Sequence, residues 1–176
     1  MTTLINLALY QIGWFCCVLG AAHGYAVTGA FCALALCGLH LLLVKNRGTE
    51  LRLMIQACLL GAIIDSTQQA VGILTFTVDS AWPFWLPLWV FVIWAQFATL
   101  FRFALSWLQG RYLLASLFGF VGGPLAYYAG VRLGAANFSD PIWLSLACLG
   151  VVWAAVTPFL LWLARTGQPG TYRSFN

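Results

Sequence analysis

The chain has 176 residues, of which 62% are hydrophobic and 7% charged, with a formal net charge of +4 and a mean hydropathy of +0.91. This composition lies far outside the range of soluble globular domains and predicts a polytopic integral membrane protein. Six apolar segments, at 4–22, 25–44, 51–77, 84–107, 112–131 and 141–164, each reach the roughly 20 residues needed to cross a hydrocarbon core about 30 Å thick; the connections are too short for a soluble catalytic domain or a nucleic-acid module.

No Lys or Arg precedes Lys45, so the first segment lacks the basic start of a signal peptide and reads as a retained helix. Continuous apolar runs argue for helices rather than barrel strands. The stretch KNRGTE, residues 45–50, separates spans two and three. Span four is expected to begin from Ser80 towards Pro83. Span six is expected to be capped by Ser139 or Asp140, with Pro141 in its first turn, where a missing N–H does no harm. With the N-terminus inside, Lys45, Arg47, Arg52, Arg111, Arg165 and Arg173 fall on the cytoplasmic side, and the outer loops hold Arg132 with Asp79 and Asp140. Trp82, Trp85 and Trp143 then mark the outer interface, and Trp107, Tyr112 and Trp162 the inner one. The expected fold is an all-α bundle of six transmembrane helices with both termini cytoplasmic, formed by residues 1–164 as one domain, with a polar tail over 165–176. No repeat relates spans one to three to spans four to six, as inverted transporter halves would require.

Span three contains GAIIDSTQQAVG, residues 61–72. Helix rise places Asp65 ~21 Å from Leu51, near the bilayer middle, where an Asp costs about 2.5–3.5 kcal/mol on insertion scales. Cys58, Gly61, Asp65, Gln68 or Gln69, and Gly72 follow one helical stripe, which should therefore face protein. Gln96 has the same depth in span four and is the first expected partner, taking a hydrogen bond from a neutral Asp65; the carbonyl of Phe120 is the other. In span five the run GFVGGP is expected to break the helix at Gly122, Gly123 and Pro124, while Gly119 and Gly123 allow close helix approach. Asp65, Gln68, Gln69, Gln96, Tyr127, Tyr128 and Arg132 are thus the candidate ligand-binding groups of a pocket between spans three, four and five. The competing reading makes the same polar groups interhelical hydrogen-bond glue. A second group, Asn6, Gln11, His40, Gln56 and Arg102, lies near the inner face, where Arg102 is expected to snorkel and His40 to be interfacial.

The six cysteines show no CxxC or Cys/His spacing, there are only two histidines, and HExxH, GxSxG and P-loop motifs are absent. Neither a metal nor a cofactor is expected. Asp65 is the single candidate acid or base for catalysis.

The stretches QIGWFCCVLGAA, GAIIDSTQQAVGILTF, FWLPLWVFVIWAQFATLF and FGFVGGPLAYYAGVRLGA together resemble an uncharacterised bacterial family of small polytopic integral membrane proteins, a domain of unknown function. The shared motifs include Asp65, Trp85, Trp89, Gly122, Gly123, Pro124, Tyr127, Tyr128, Gly130 and Gly134. The resemblance implies a multi-pass protein of the bacterial inner membrane, encoded near lipid-modifying functions, and implies no activity. The leading expectation is binding or handling of a lipid or hydrophobic small molecule, in contact with membrane lipids and as a homodimer or with a membrane partner protein. A small enzyme using Asp65 as acid or base, or a proton-coupled transporter, is the alternative. The topology is open to direct measurement: a reporter active only in the periplasm should be silent when fused after Lys45 or Gln109 and active after Ser80 or Asn137, and the reverse pattern would overturn the assigned orientation.

Overall fold

The computed structural model describes residues 2–78 and 80–166. Its elements are α1 (Thr3–Ala22), α2 (Ala26–Leu43), α3 (Arg47–Ala70), β1 (Leu74–Phe76), α4 (Leu88–Ala98), α5 (Tyr112–Leu133), β2 (Ala136–Phe138) and α6 (Ile142–Thr166). The fold is an all-α bundle with one small antiparallel strand pair, in which Leu74, Thr75 and Phe76 face Phe138, Asn137 and Ala136. Among the described residues, four helices, α1, α2, α5 and α6, are long and apolar enough to cross a membrane. Of the tail expected over 165–176, Arg165 and Thr166 continue α6 and the rest lies outside the described residues, as do Met1 and Asp79.

The departures from six equal spans have local causes. Helix α3 ends at Ala70 rather than near residue 77, because Gly72 adopts a left-handed φ of 72°. The amide of Ile73 then reaches back to the carbonyl of Gln68 (2.9 Å) and that of Gly72 to Gln69 (3.2 Å), a Schellman closure that a side chain with a Cβ would strain. The following Leu-Thr-Phe is extended with its first and third residues buried, as suits branched and aromatic side chains on a pleated surface. Helix α4 has only 11 residues. Pro83 and Pro87 bias the residues before them towards extended backbone, so no helix forms until Leu88. After Ala98 the chain folds into successive turns, held by the side chain of Asn6. Its amide donates to the carbonyl of Thr99 (3.2 Å) and its carbonyl accepts from the amide of Ala104 (3.2 Å). This segment of turns, with a single 3-10 turn at Ser106–Leu108, is buried at Leu100, Phe101, Ala104, Leu105 and Leu108.

Helices pair as α1 with α2, α3 with α4 and α5 with α6, and α4 also packs on α1 and α2. The strand pair closes one end of the bundle, where α3 and α5 end and α4 and α6 begin. Lys45 in the α2–α3 connection and Arg47 and Arg52 at the start of α3, together with Arg111 at the start of α5 and Arg165 at the end of α6, lie at the opposite end. Small residues set the closest helix approaches. A methyl group at Gly29 would overlap the backbone carbonyl of Cys16 across the α1–α2 contact, and one at Gly119 would overlap that of Trp153 across α5–α6. Gly38, on the same helix as Gly29, faces open space. Accordingly Gly29→Ala should lower stability by about 1–3 kcal/mol, since backbone cannot rotate aside. Gly38→Ala should be neutral or raise stability by up to ~1 kcal/mol through helix propensity. Thermal melts of both variants in a mild detergent test the contact.

Candidate functional site

Asp65 is the organising residue. It is 1% exposed and stands five residues before the end of α3, nearer the strand end of the bundle than its middle, because the helix stops at Ala70. Trp94, six residues into α4, and Tyr127, six residues before the end of α5, reach the same level. The indole N–H of Trp94 donates to Oδ2 of Asp65 at 2.7 Å, and the hydroxyl of Tyr127 donates to Oδ1 at 2.6 Å. One carboxylate therefore ties three helices together. Gly61 makes the arrangement possible: it lies one helical turn from Asp65, and a Cβ there would run into the indole of Trp94. The ring of Trp94 stacks on Trp153 of α6, with centroids 5.0 Å apart and planes inclined by 15°, which carries the linkage to a fourth helix.

Beside this node lies a cavity of about 290 Å³, walled by α1, α4, α5 and α6 and reaching the strand pair at Phe76 and Ala136. Asp65 is the residue α3 contributes to it. From Phe118 to Gly130 the wall runs along thirteen residues of α5, twelve helical rises or about 18 Å, so the space is a long slot with room for one chain lengthwise. Its lining is strongly aromatic, with Tyr10 and Trp14 of α1, Trp89, Trp94 and Phe97 of α4, and Trp153 of α6. Gly119, Gly122 and Gly123 hollow the α5 side. Gly119 and Gly123 press against α6, but at Gly122 a Cβ would meet nothing closer than Phe118 at 3.9 Å, so this glycine opens volume instead of making a contact. The slot opens between α1 and α5, where Leu7, Phe118 and Ala126 are exposed. In its wall the buried hydroxyl of Thr157 has no hydrogen-bond partner.

The sequence-predicted residues divide. Asp65 and Tyr127 meet directly. Gln96 is buried but does not meet Asp65: its amide points to the carbonyl of Ala33 on α2 (3.4 Å) and its side chain lies against Gly13 on α1. Trp94 and Gln96 are two residues apart and so diverge by about 200° around the helix axis; since Trp94 takes the face towards α3, Gln96 must turn to α1 and α2. Asp65 is correspondingly an acceptor from two donors and not a donor to Gln96. Gln69 donates to the carbonyl of Trp85 (2.8 Å) and accepts from the amide of Phe76 (3.2 Å), tying the end of α3 to its loop. Gln68 is buried, its side-chain amide is unpaired, and it lies outside the slot. Tyr128 and Arg132 are exposed and also outside the slot. The expected helix break does not open α5, which stays helical through Gly122, Gly123 and Pro124. The carbonyl of Phe120, which loses its donor at Pro124, lies instead against Gly150 of α6. Sequence reasoning missed Trp94 and Trp153; in an all-apolar helix nothing separates a packed tryptophan from an exposed one.

At the opposite end, Arg102 does not snorkel and His40 is not interfacial. His40 and Glu50 are buried and the Arg102 side chain is 7% exposed: the guanidinium of Arg102 lies 3.5 Å from Oε1 of Glu50 and its Nε donates to the carbonyl of Ala164 (3.1 Å), while Nε2 of His40 lies 3.5 Å from Oε2. This cluster ties the ends of α2, α3 and α6 to the non-helical segment after α4. No group of three or more His, Cys, Asp or Glu side chains among the described residues could hold a metal.

The hydrogen bonds at Asp65 predict an order of stabilities. Asp65→Leu strands two donors at about 1–3 kcal/mol each, so it should destabilise by ~2–6 kcal/mol. Asp65→Asn should cost far less, because its oxygen accepts from Trp94 and its amide donates to the Tyr127 hydroxyl, which can turn to accept. Denaturant titrations of the two variants check this; equal stability of Asp65→Leu and wild type would exclude the node as a structural element.

No curated protein and no solved structure matches the chain. The family described as "Protein of unknown function (DUF2878)" matches residues 3–159, nearly the whole bundle with its aromatic slot, and the chain belongs to that family.

Proposed function

We propose that this protein is a multi-pass protein of the bacterial inner membrane, with six membrane-embedded helices and both termini cytoplasmic, that binds a single-chain lipid or similar hydrophobic small molecule in the slot beside Asp65. The observation that carries the reading is the slot itself: an aromatic cavity with one buried carboxylate in its wall and a mouth between two apolar helices. Ligand pockets combine a largely apolar lining with a few placed polar groups, commonly in ~300–1,000 Å³. A volume of about 290 Å³ suits one chain or a compact amphiphile rather than a whole diacyl lipid. A mouth between α1 and α5 lets such a ligand enter sideways from the bilayer without crossing water.

The setting is supported by two further features. The gathering of Lys45, Arg47, Arg52, Arg111 and Arg165 at one end, against Arg132 at the other, agrees with a cytoplasmic basic end. The short α4 and its non-helical continuation are wrapped by other helices, the condition under which irregular backbone is tolerated at membrane depth. Asp65 serves here as a polar anchor, already oriented by Trp94 and Tyr127.

Mass spectrometry of the gently extracted full chain should reveal a retained amphiphile. Gly122→Leu fills the slot from a position with space for its Cβ, and should keep wild-type stability while losing at least ~90% of the retained ligand, since a well-filled pocket excludes it. Equal retention in this variant would place any bound lipid elsewhere.

A further inference from the structure

The chemistry of the slot goes further and selects the head group of its ligand. We infer that the slot takes an amphiphile with a positively charged amine, the ammonium lying against Asp65 and the aromatic wall; this rests on the ligand-binding reading above and specifies the class of ligand.

Three observations carry it. First, Asp65 has no cationic partner: among the described residues both recorded ion pairs engage Glu50, at the other end of the bundle. Lys45, Arg47, Arg52, Arg111 and Arg165 are also at that end, and Arg132 is exposed on α5 outside the slot. Second, both partners that Asp65 does have are neutral donors, Trp94 at 2.7 Å and Tyr127 at 2.6 Å. These donors hold the carboxyl group in place, and each oxygen keeps a lone pair for a further donor. Third, the wall next to this carboxylate is made of Tyr10, Trp89, Trp94, Phe97, Tyr127 and Trp153. Aromatic faces attract cations, most strongly where water is excluded.

A carboxyl group with no cation beside it, fixed by neutral donors and surrounded by aromatic rings, is the complement of an ammonium, whose charge would balance its carboxylate form. An alcohol could donate to Asp65 but brings no positive charge to pair with its carboxylate form. A fatty acid would add a second negative charge beside it. An alkylamine, ionised at neutral pH as lysine is, with its pKa of about 10.4, supplies both the proton donor and the charge. The same chemistry is offered by a free amine and by the amino head group of a lipid.

The test uses the full chain in maltoside micelles, with quenching of tryptophan fluorescence by three probes of equal chain length, dodecylamine, dodecanol and dodecanoate. The partition of each probe into protein-free micelles is measured and divided out. Dodecylamine should bind at least ~10-fold more tightly than dodecanol, the scale of a desolvated cation–π contact reinforced by a carboxylate, and dodecanoate most weakly. In Asp65→Asn the amine-to-alcohol ratio should fall towards one. The wild-type comparison stands without the variant should that not fold. In discs of phosphatidylglycerol alone, competition with dodecylamine after addition of phosphatidylethanolamine identifies the source as a lipid head group, and lack of competition identifies a free amine. Either result agrees with the inference. Binding of dodecanol as tight as that of dodecylamine in wild type, or an unchanged ratio in Asp65→Asn, overturns the amine while leaving a hydrophobic binding site. Failure of all three probes to bind overturns the binding reading itself.

Discussion

The carboxylate of Asp65 is the interaction on which the strand end of the bundle depends, since it joins α3 to Trp94 of α4 and to Tyr127 of α5 and, through the stacked indoles of Trp94 and Trp153, to α6. Burying an ionisable group is costly unless its hydrogen-bonding capacity is met. Here it is met by two side chains that are otherwise apolar, so the wall stays aromatic right up to the carboxylate. A purely structural link between these helices could have used a neutral amide or a hydrophobic contact, and replacement of buried charge by well-packed apolar groups is often stabilising. What distinguishes this arrangement is that the acid lies in the wall of an open volume rather than between closed helix faces.

That volume exists because three glycines on one helix do different work. Gly119 and Gly123 bring α5 against the backbone and indole of Trp153. Gly122, on the next face, leaves space. Side chains in place of the first two would push α6 away and break the stack with Trp94; a side chain in place of the third would fill the slot. Interiors are packed nearly as densely as organic crystals, so a cavity of this size beside such close contacts reflects specific residues on each of its walls. The aromatic rings supply stiffness as well as area: Phe97 meets both Phe101 and Trp153 edge to face, and Phe76 of the strand pair meets Trp89 in the same way.

The other end of the molecule solves a different problem. Residues 99–111 are largely non-helical, and their polar backbone must be paired inside the bundle. Asn6 provides a donor and an acceptor to that segment, and Gln109 donates to the carbonyl of Phe101 (3.5 Å). The cluster of His40, Glu50 and Arg102 then fixes the segment against α2, α3 and α6. Polar groups that are sparse in the sequence are thus concentrated at two levels, one holding an irregular backbone and one facing a slot.

Composition and apolar run length determined the all-α class and the number of helices, four of them long and apolar enough to cross a membrane among the described residues, because long apolar runs broken by polar connections can be read without knowledge of what packs against them. The polar stripe on α3 was equally legible, since Asp65 is costly wherever it is not shielded, and Tyr127 followed from its position after the glycine-rich run. The extents of α3 and α4 were less so: a Gly in the left-handed region and two prolines decided them, against a background of uninterrupted hydrophobicity. Only the tertiary structure could decide which side chains meet. In a soluble helix the contrast between polar and apolar faces shows which side is buried, but here almost every face is apolar, so Trp94 and Trp153 carry no mark that sets them apart from the exposed Trp85 and Trp143. Depth alone suggested Gln96 as the partner of Asp65. The rotation of α4 about its own axis, set by packing against α1, α2 and α3 together, turned Trp94 to the carboxylate and left the slot beside it.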